Sequence, residues 1–224
     1  MHSNLSIGVV IPCYNEEEGV RRVIGRMPAV VDEVVVVDNN CTDRTAEVAT
    51  SLGARVVFER THGYGAAYKT GLRAVQSDVV VTLDGDGTYP PEEIPRLVQT
   101  LLEKHWDFLS ANRFPLADPR AMGFSNQLGN WVLTVATALL FFKPIRDSQS
   151  GMWVFRRAAF ERMHLTSDGM PFSEEIKLEA LLRGLRFGEA HIPYGVRVGE
   201  AKLQKWRDGW NNLVFLVRRR VGLG

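Results

Sequence analysis

Short apolar runs alternate with helical patterns through the first half of the chain, and most of the runs end on an acidic residue. Leu5 to Pro12 predicts a first strand, running into Cys13-Tyr14-Asn15. Asn15 is placed to cap the next helix, with Glu16, Glu17 and Glu18 in its first turn, where carboxylates complement the helix dipole. That helix should run to about Met27, before Pro28. Glu33 to Val37 is a second strand whose consecutive valines fit burial on both faces, and it ends at Asp38. A turn through Asn39-Asn40-Cys41-Thr42-Asp43 leads to a helix that reaches Leu52 and is stopped by Gly53. Ala54 to Glu59 is a third strand, and a glycine-rich loop, Thr61 to Gly65, opens a helix from Ala66 to Gln76. Ser77 to Leu83 is a fourth strand, Pro90-Pro91-Glu92-Glu93 opens a helix to about Lys104, and Asp107 to Asn112 is a fifth strand. Such alternation predicts an α/β fold, a mostly parallel sheet with helices on both faces. Ligands bind beyond the carboxyl ends of the strands in such sheets, and Asp38, the glycine loop and Asp84 all lie at such ends.

The second half follows another rhythm. Asn126 to Lys143 predicts a long apolar helix, Asp147 to Gly151 a polar turn, and Met152 to Arg156 a short strand. Ser173 is placed to cap a helix from Glu174 to Arg183, Arg186 to Ile192 is a last strand, and Trp206 to Arg220 is an amphipathic helix. No repeat or low-complexity linker interrupts the chain, so residues 1–224 are expected to form one domain.

Composition narrows the function classes. A hydrophobic fraction of 45% and a charged fraction of 24% are those of a globular protein. A net charge of +1 carries no global basic footprint for nucleic acid. Only Cys13 and Cys41 occur, which argues against a disulfide framework and for a reducing compartment. No secretory leader is expected from the polar start of the chain. The longest apolar stretch, Trp131 to Phe142, is short for a bilayer span and suits a core helix or one resting on a membrane. Arg197, Lys202, Lys205, Arg207, Arg218, Arg219 and Arg220 face only Glu200 and Asp208 near the end. That local excess suits a phosphate-rich partner or an anionic membrane, and equally an ordinary solvated tail.

Candidate chemistry centres on Asp84-Gly85-Asp86. Residues two apart in an extended backbone point the same way, so both carboxylates can converge just beyond the sheet. Paired hard oxygen ligands suit Mg²⁺ or Mn²⁺ on a diphosphate, with Gly85 leaving room for close approach. The same tripeptide also suits a solvated turn. The loop Gly63-Tyr64-Gly65-Ala66-Ala67-Tyr68 lacks the third glycine of a dinucleotide fingerprint, and no Gly-Lys-Ser/Thr follows it. It can still offer backbone N–H groups and Lys69 to an anion. Asp38 suits either a nucleoside contact or a turn cap.

Together these segments resemble the family 2 glycosyltransferases of GT-A fold. The resemblance rests on Ile11-Pro12-Cys13-Tyr14-Asn15-Glu16-Glu17, Val36-Val37-Asp38-Asn39-Asn40-Cys41-Thr42-Asp43, Gly63-Tyr64-Gly65-Ala66-Ala67 and Leu83-Asp84-Gly85-Asp86-Gly87-Thr88-Tyr89-Pro90-Pro91. Asn112-Arg113, the long apolar helix, Asp147-Ser148-Gln149-Ser150-Gly151 and Gly199-Glu200-Ala201-Lys202 resemble its polyprenyl-phosphate (dolichyl-phosphate type) branch. The last stretch departs by having Ala201 where serine is usual, and the membrane helices that some members append are not seen.

The resemblance implies an inverting, metal-dependent hexose transfer from a nucleotide sugar to a polyprenyl phosphate, at the cytoplasmic face of a membrane. It implies a nucleotide-sugar half, residues 1–113, and an acceptor half, residues 114–224. Pro12, Tyr14, Glu16 and Asp38 would hold the nucleoside, Asp84 and Asp86 the metal, and Arg113, Ser150 and Lys202 the phosphates. Asp147 is the first choice for a base, ahead of Glu174 and Glu175, although a phosphate acceptor with a second pKa of about 6 scarcely needs one. A hydroxyl acceptor is the alternative, but Gln204-Lys205-Trp206-Arg207 does not fit the Gln-x-x-Arg-Trp spacing common there. A non-catalytic nucleotide-sugar or membrane module is a further rival, against which the acidic pair speaks. Donor identity, among GDP-mannose, UDP-glucose and UDP-N-acetylglucosamine, and oligomeric state stay open.

Overall fold

Alternate residues along the strands serve opposite layers, and this period of two builds the whole core. The structure is a computed structural model and describes residues 5–199 and 205–222. Its strands are β1 (Ile7–Cys13), β2 (Glu33–Asp38), β3 (Arg55–Phe58), β4 (Val79–Thr82), β5 (Phe108–Asn112), β6 (Trp153–Arg156) and β7 (Phe187–His191). Its helices are α1 (Glu17–Gly25), α2 (Thr45–Ser51), α3 (Tyr64–Ala74), α4 (Ile94–Glu103), α5 (Phe124–Phe141), α6 (Arg157–Phe160), α7 (Phe172–Leu182) and α8 (Lys205–Arg220). The strands form one sheet in the order β3-β2-β1-β4-β6-β5-β7. Val9, Ile11, Val36, Val79 and Val81 pack on one face against α1, α2 and α4. Val10, Val35, Val37, Val80 and Phe155 pack on the other against α3, α6 and α7. A third cluster, Leu133, Phe141, Leu178 and Leu216, joins α5 and α8 to α7.

The expected parallel alternation holds from β1 to β4. The second half then enters the same sheet: β6 lies antiparallel between β4 and β5, and β7 pairs parallel with β5. Two expected caps are corrected. Asn15 adopts a left-handed conformation (φ 54°) and does not cap α1; its Oδ1 accepts N–H bonds from Thr42 and Asp43, bracing the turn after β2. Ser173 lies inside α7, and its hydroxyl donates to the Met170 carbonyl. Helix α5 begins and ends about two residues before its predicted bounds and stops at Phe142, also left-handed (φ 53°).

Glycine in a helix interior normally costs about 0.5–1 kcal/mol relative to alanine. Packing reverses that sign at Gly71 of α3, where an added Cβ would lie 2.4 Å from Val10 Cγ1 and 2.8 Å from Val37 Cγ2. Gly71→Ala is expected to destabilise by about 1–3 kcal/mol through overpacking. Gly129→Ala, on α5 with nothing near the added methyl, should stabilise by about 0.5–1 kcal/mol. Urea midpoints of the two variants check the opposite signs.

Candidate active site

The carboxyl ends of β1 and β4 open into a cavity of about 950 Å³, lined among others by Pro12, Tyr14, Glu16, Asp84, Asp86 and Arg197. Asp84 is held from below by two residues of α3 one turn apart. The hydroxyls of Tyr64 and Tyr68 donate to its Oδ1 at 3.2 and 3.0 Å. Burial and the neighbouring charge of Asp86 push the Asp84 carboxyl up to about 7, against the opposing pull of these hydroxyls. Asp86 folds back on its own turn, accepting from the Thr88 N–H (3.0 Å) and hydroxyl (2.7 Å). Its Oδ2 accepts from Arg197 at 2.9 Å, and the other arm of the same guanidinium donates to Glu16. Arg197 therefore places an internal cation on the acidic cluster.

This donor set fits a hard divalent cation. Two carboxylates face one cavity, and the charge of Asp86 disfavours that of Asp84, a conflict that a bound dication relieves. Among the described residues no three His, Cys, Asp or Glu side chains converge on one metal position. Phosphate oxygens and water would have to complete the shell, as is usual for Mg²⁺.

Gly85 lines the cavity and is also required by the protein's own packing. Its missing side chain makes room for protein, since an added Cβ would sit 2.6 Å from Cys13 Sγ. The glycine loop lines the cavity and is packed against protein likewise. A Cβ at Gly63 or Gly65 would meet the carbonyls of Asp168 or Ser167 at 2.3 and 2.2 Å. The Gly63 and Ala66 N–H groups already donate to Asn39 Oδ1 and the Asp168 carbonyl. Lys69 is not brought to the cavity: its ammonium donates to the Thr166 carbonyl and pairs with Asp168 at 2.7 Å. Asp38 caps its turn, accepting from the Cys41 N–H at 2.7 Å. Burial pushes the Cys41 thiol up to about 11, so it is no nucleophile.

Arg113, Asp147 and Ser150 form a second group behind the cavity wall. Arg113 grips Asp147 with two side-chain bonds of 2.7 Å and a backbone N–H, and both residues are buried. Despite burial, the Arg113 guanidinium holds the Asp147 carboxyl below its ordinary range. A carboxylate so engaged positions its partner; it is not poised to take a proton. The Ser150 hydroxyl is fully buried and finds no hydrogen-bond partner among the described residues, and Gly151 abuts the acidic pair, its added Cβ lying 3.1 Å from Asp84 Oδ2. Glu175 caps the 166–167 backbone through both carboxylate oxygens, whereas burial pushes Glu174 well up. Lys202 lies outside the described residues. Tyr64, Tyr68 and Thr88 carry no site role in the sequence reading, and Arg197 figures there only in the basic excess near the end of the chain. The i, i+4 tyrosines after the glycine loop and the threonine two residues after Asp86 were the available signals.

A mostly parallel sheet with an acidic pair at the end of its fourth strand and a nucleotide-sized cavity above it defines a GT-A glycosyltransferase. The sequence model of glycosyl transferase family 2 matches residues 8–163, and the chain belongs to that family. It is 33% identical to the low-salt glycan biosynthesis hexosyltransferase Agl6 of Haloferax volcanii over 97% of this chain, but spans only 54% of that protein. It is 32% identical to the dolichyl-phosphate hexose transferase of the same organism, covering 91% of this chain and 89% of the relative. The fold matches Mycobacterium tuberculosis glucosyl-3-phosphoglycerate synthase, solved with Mn²⁺, UDP-glucose and glycerol 3-phosphate, with a TM-score of 0.79 at 23% identity over 99% of this chain and 82% of that one.

The Asp84 shift sets the sign of a pH effect. A folded carboxyl raised from 3.8 to about 7 keeps a proton that the unfolded chain releases. Its contribution is present below the unfolded value and lost as pH rises towards 7. In EDTA, stability should fall between about pH 4 and 7 more steeply in the wild type than in Asp84→Asn. Chemical denaturation across that range is the check, and parallel curves would contradict the assignment.

Proposed function

We propose that this chain transfers a hexose, with inversion, from a nucleotide-diphosphate sugar to a polyprenyl phosphate, using Mg²⁺ or Mn²⁺. The observation that carries the reading is the two-sided placement of α8. Arg207, Asp208 and Asn211 of its first turns line the cavity, while Trp206, 93% exposed, and Trp210 point to solvent. The stripe continues along α8 through Val217 and Val221. Helix α5, packed beside it, exposes Phe124, Leu128, Trp131, Leu139 and Phe142 at helical spacing. Arg218 and Arg220 are exposed near these apolar positions, with the Arg220 guanidinium 5.8 Å from the Phe142 ring. Apolar stripes flanked by arginine suit the boundary of an anionic bilayer. No helix among the described residues is long and apolar enough to cross one. Peripheral attachment at a cytoplasmic membrane face follows from this reading.

A divalent cation held by Asp84 and Asp86 would neutralise the leaving diphosphate. Pro12, Tyr14 and Glu16 line the cavity where a nucleoside would lie, and Asp38 stands at the neighbouring strand end. Arg197 and Arg207 supply further positive charge to that cavity. On the acceptor side, Arg113 carries the charge for a phosphate, with Asp147 fixing its guanidinium. A phosphate monoester is largely dianionic at neutral pH, so positioning replaces a general base. The relatives named as dolichyl-phosphate hexose transferase and dolichol-phosphate mannosyltransferase support this acceptor class.

The test is a donor panel with a short polyprenyl phosphate, read by mass spectrometry of the lipid. One donor should give a glycosylated lipid phosphate, lost with EDTA and in Asp84→Ala. Donor hydrolysis with no lipid product would point to a hydroxyl acceptor. Arg197 gives a separate check. Its bond to Asp86 must break when a cation takes that oxygen, and hydrogen bonds to charged groups contribute about 1.5–3 kcal/mol. Arg197→Ala should bind Mn²⁺ roughly tenfold more tightly without nucleotide, by calorimetry. It should bind the nucleoside diphosphate more weakly once Mn²⁺ is present.

A further inference from the structure

Lys177 is a charged residue at the centre of α7 with no exposed surface. Every residue of α7 from Phe172 to Ala180 is buried, so an apolar side chain would suit the position better. Among the described residues its ammonium makes no ion pair. It donates to two successive carbonyls, those of Asp147 (3.0 Å) and Ser148 (2.7 Å), and lies 5.9 Å from the Trp153 ring centroid. Burying an ammonium without a counter-ion costs several kcal/mol. Burial accordingly pulls the lysine down to about 7, with Asp147 opposing the shift and Arg113 adding to it. Two further carboxyls near it, Glu174 and Glu189, also oppose that shift, while burial pushes each of them up.

What this costly contact holds is the turn from Asp147 to Gly151. The far end of that turn is fixed by the acidic site. The Gly151 carbonyl accepts from the Thr82 hydroxyl at 2.8 Å, and its N–H donates to the Tyr89 oxygen at 2.7 Å. The near end carries Asp147, which clamps Arg113. The N–H groups of this near end donate to Glu189 and Thr134, and Lys177 holds its two carbonyls from beneath.

We propose that Lys177 is a positioning residue for the acceptor: by holding the Asp147 and Ser148 carbonyls it fixes the Arg113–Asp147 pair where the acceptor phosphate docks. The proposal rests on the polyprenyl-phosphate reading given above, and it assigns Lys177 no contact with substrate. A lysine kept only for stability should behave oppositely. Replacing a buried charge by an apolar side chain of similar length is often neutral or stabilising, whereas misplacing a binding group weakens the function it serves.

The experiment compares wild type, Lys177→Met and Lys177→Gln, measuring Tm, KM for the nucleotide sugar and KM for a short polyprenyl phosphate. Lys177→Met should keep or raise Tm, leave the donor KM within twofold and raise the acceptor KM at least tenfold. Lys177→Gln, which keeps an N–H donor, should fall between, and it carries the comparison alone if the methionine variant does not fold. An unchanged acceptor KM, or a fall in Tm with donor and acceptor constants shifted alike, would overturn the positioning role. A wild type that turns over without saturable dependence on polyprenyl phosphate would instead sink the acceptor reading, and this proposal with it.

Discussion

The charge of Asp86 disfavours the ionisation of Asp84 beside it at the end of β4, and the surrounding structure meets the two carboxylates differently. Asp84 is met by the neutral Tyr64 and Tyr68 hydroxyls, which leave its charge uncompensated and its carboxyl raised to about 7. Asp86 is met by a backbone N–H, a hydroxyl and the full charge of Arg197. The asymmetry keeps the pair foldable without a dication while leaving a position where one gains from both groups. Neighbouring glycines follow from the same constraint. Gly19 lets α1 approach the Gly85 carbonyl, where a Cβ would lie 2.2 Å away, and Gly151 lets the acceptor-side turn reach Asp84.

That approach from the second half explains the mixed sheet. Trp153–Arg156 inserts as β6 beside β4, antiparallel, with Val80 opposite Phe155 and Val81 opposite Val154. The turn before β6 is thereby delivered to the end of β4 that carries the acidic pair. The two halves of the chain share one sheet, and the candidate site lies where β4 meets β6. Thr82 marks the seam: its hydroxyl donates to the Gly151 carbonyl and accepts from the Trp153 N–H.

The first half was legible because its signals are local. Consecutive valines in β2 and in β4 report burial directly, and an acidic residue after an apolar run marks a strand end. The insertion of β6 was not legible, because a four-residue strand carries no record of which neighbours it pairs with. Local rules failed where a tertiary partner outbid them. Asn15 has the side chain of a cap but braces Thr42 and Asp43, and Ser173 is drawn inside a helix that starts at Phe172. Lys69 sits beside a glycine loop, yet Asp168 is nearer than any ligand. The acidic pair was visible in the sequence; the tyrosines and the arginine that govern its charge were not, because they arrive from α3 and from the segment after β7.

A sugar nucleotide is water-soluble and a polyprenyl chain is not, so the proposed reaction needs one site open to both phases. Helix α8 meets that need through its periodicity. Positions 206, 210, 217 and 221 repeat at helical spacing and form an apolar stripe, whereas Asn212 and Leu216 turn inward. Its Asn212 amide donates to Gln149, whose own amide donates to Glu174 at 2.6 Å, so the helix is tied by hydrogen bonds to the turn that carries Asp147. Helix α5 reaches the same turn, with Asn130 accepting from the Gln149 N–H and Thr134 bonded to Ser148. The two helices whose outer stripes suit a bilayer thus also contribute inner polar residues to the Asp147–Gly151 turn. On the proposed reading, the surface that finds the membrane and the residues that receive the lipid phosphate belong to one packed unit, joined through Gln149.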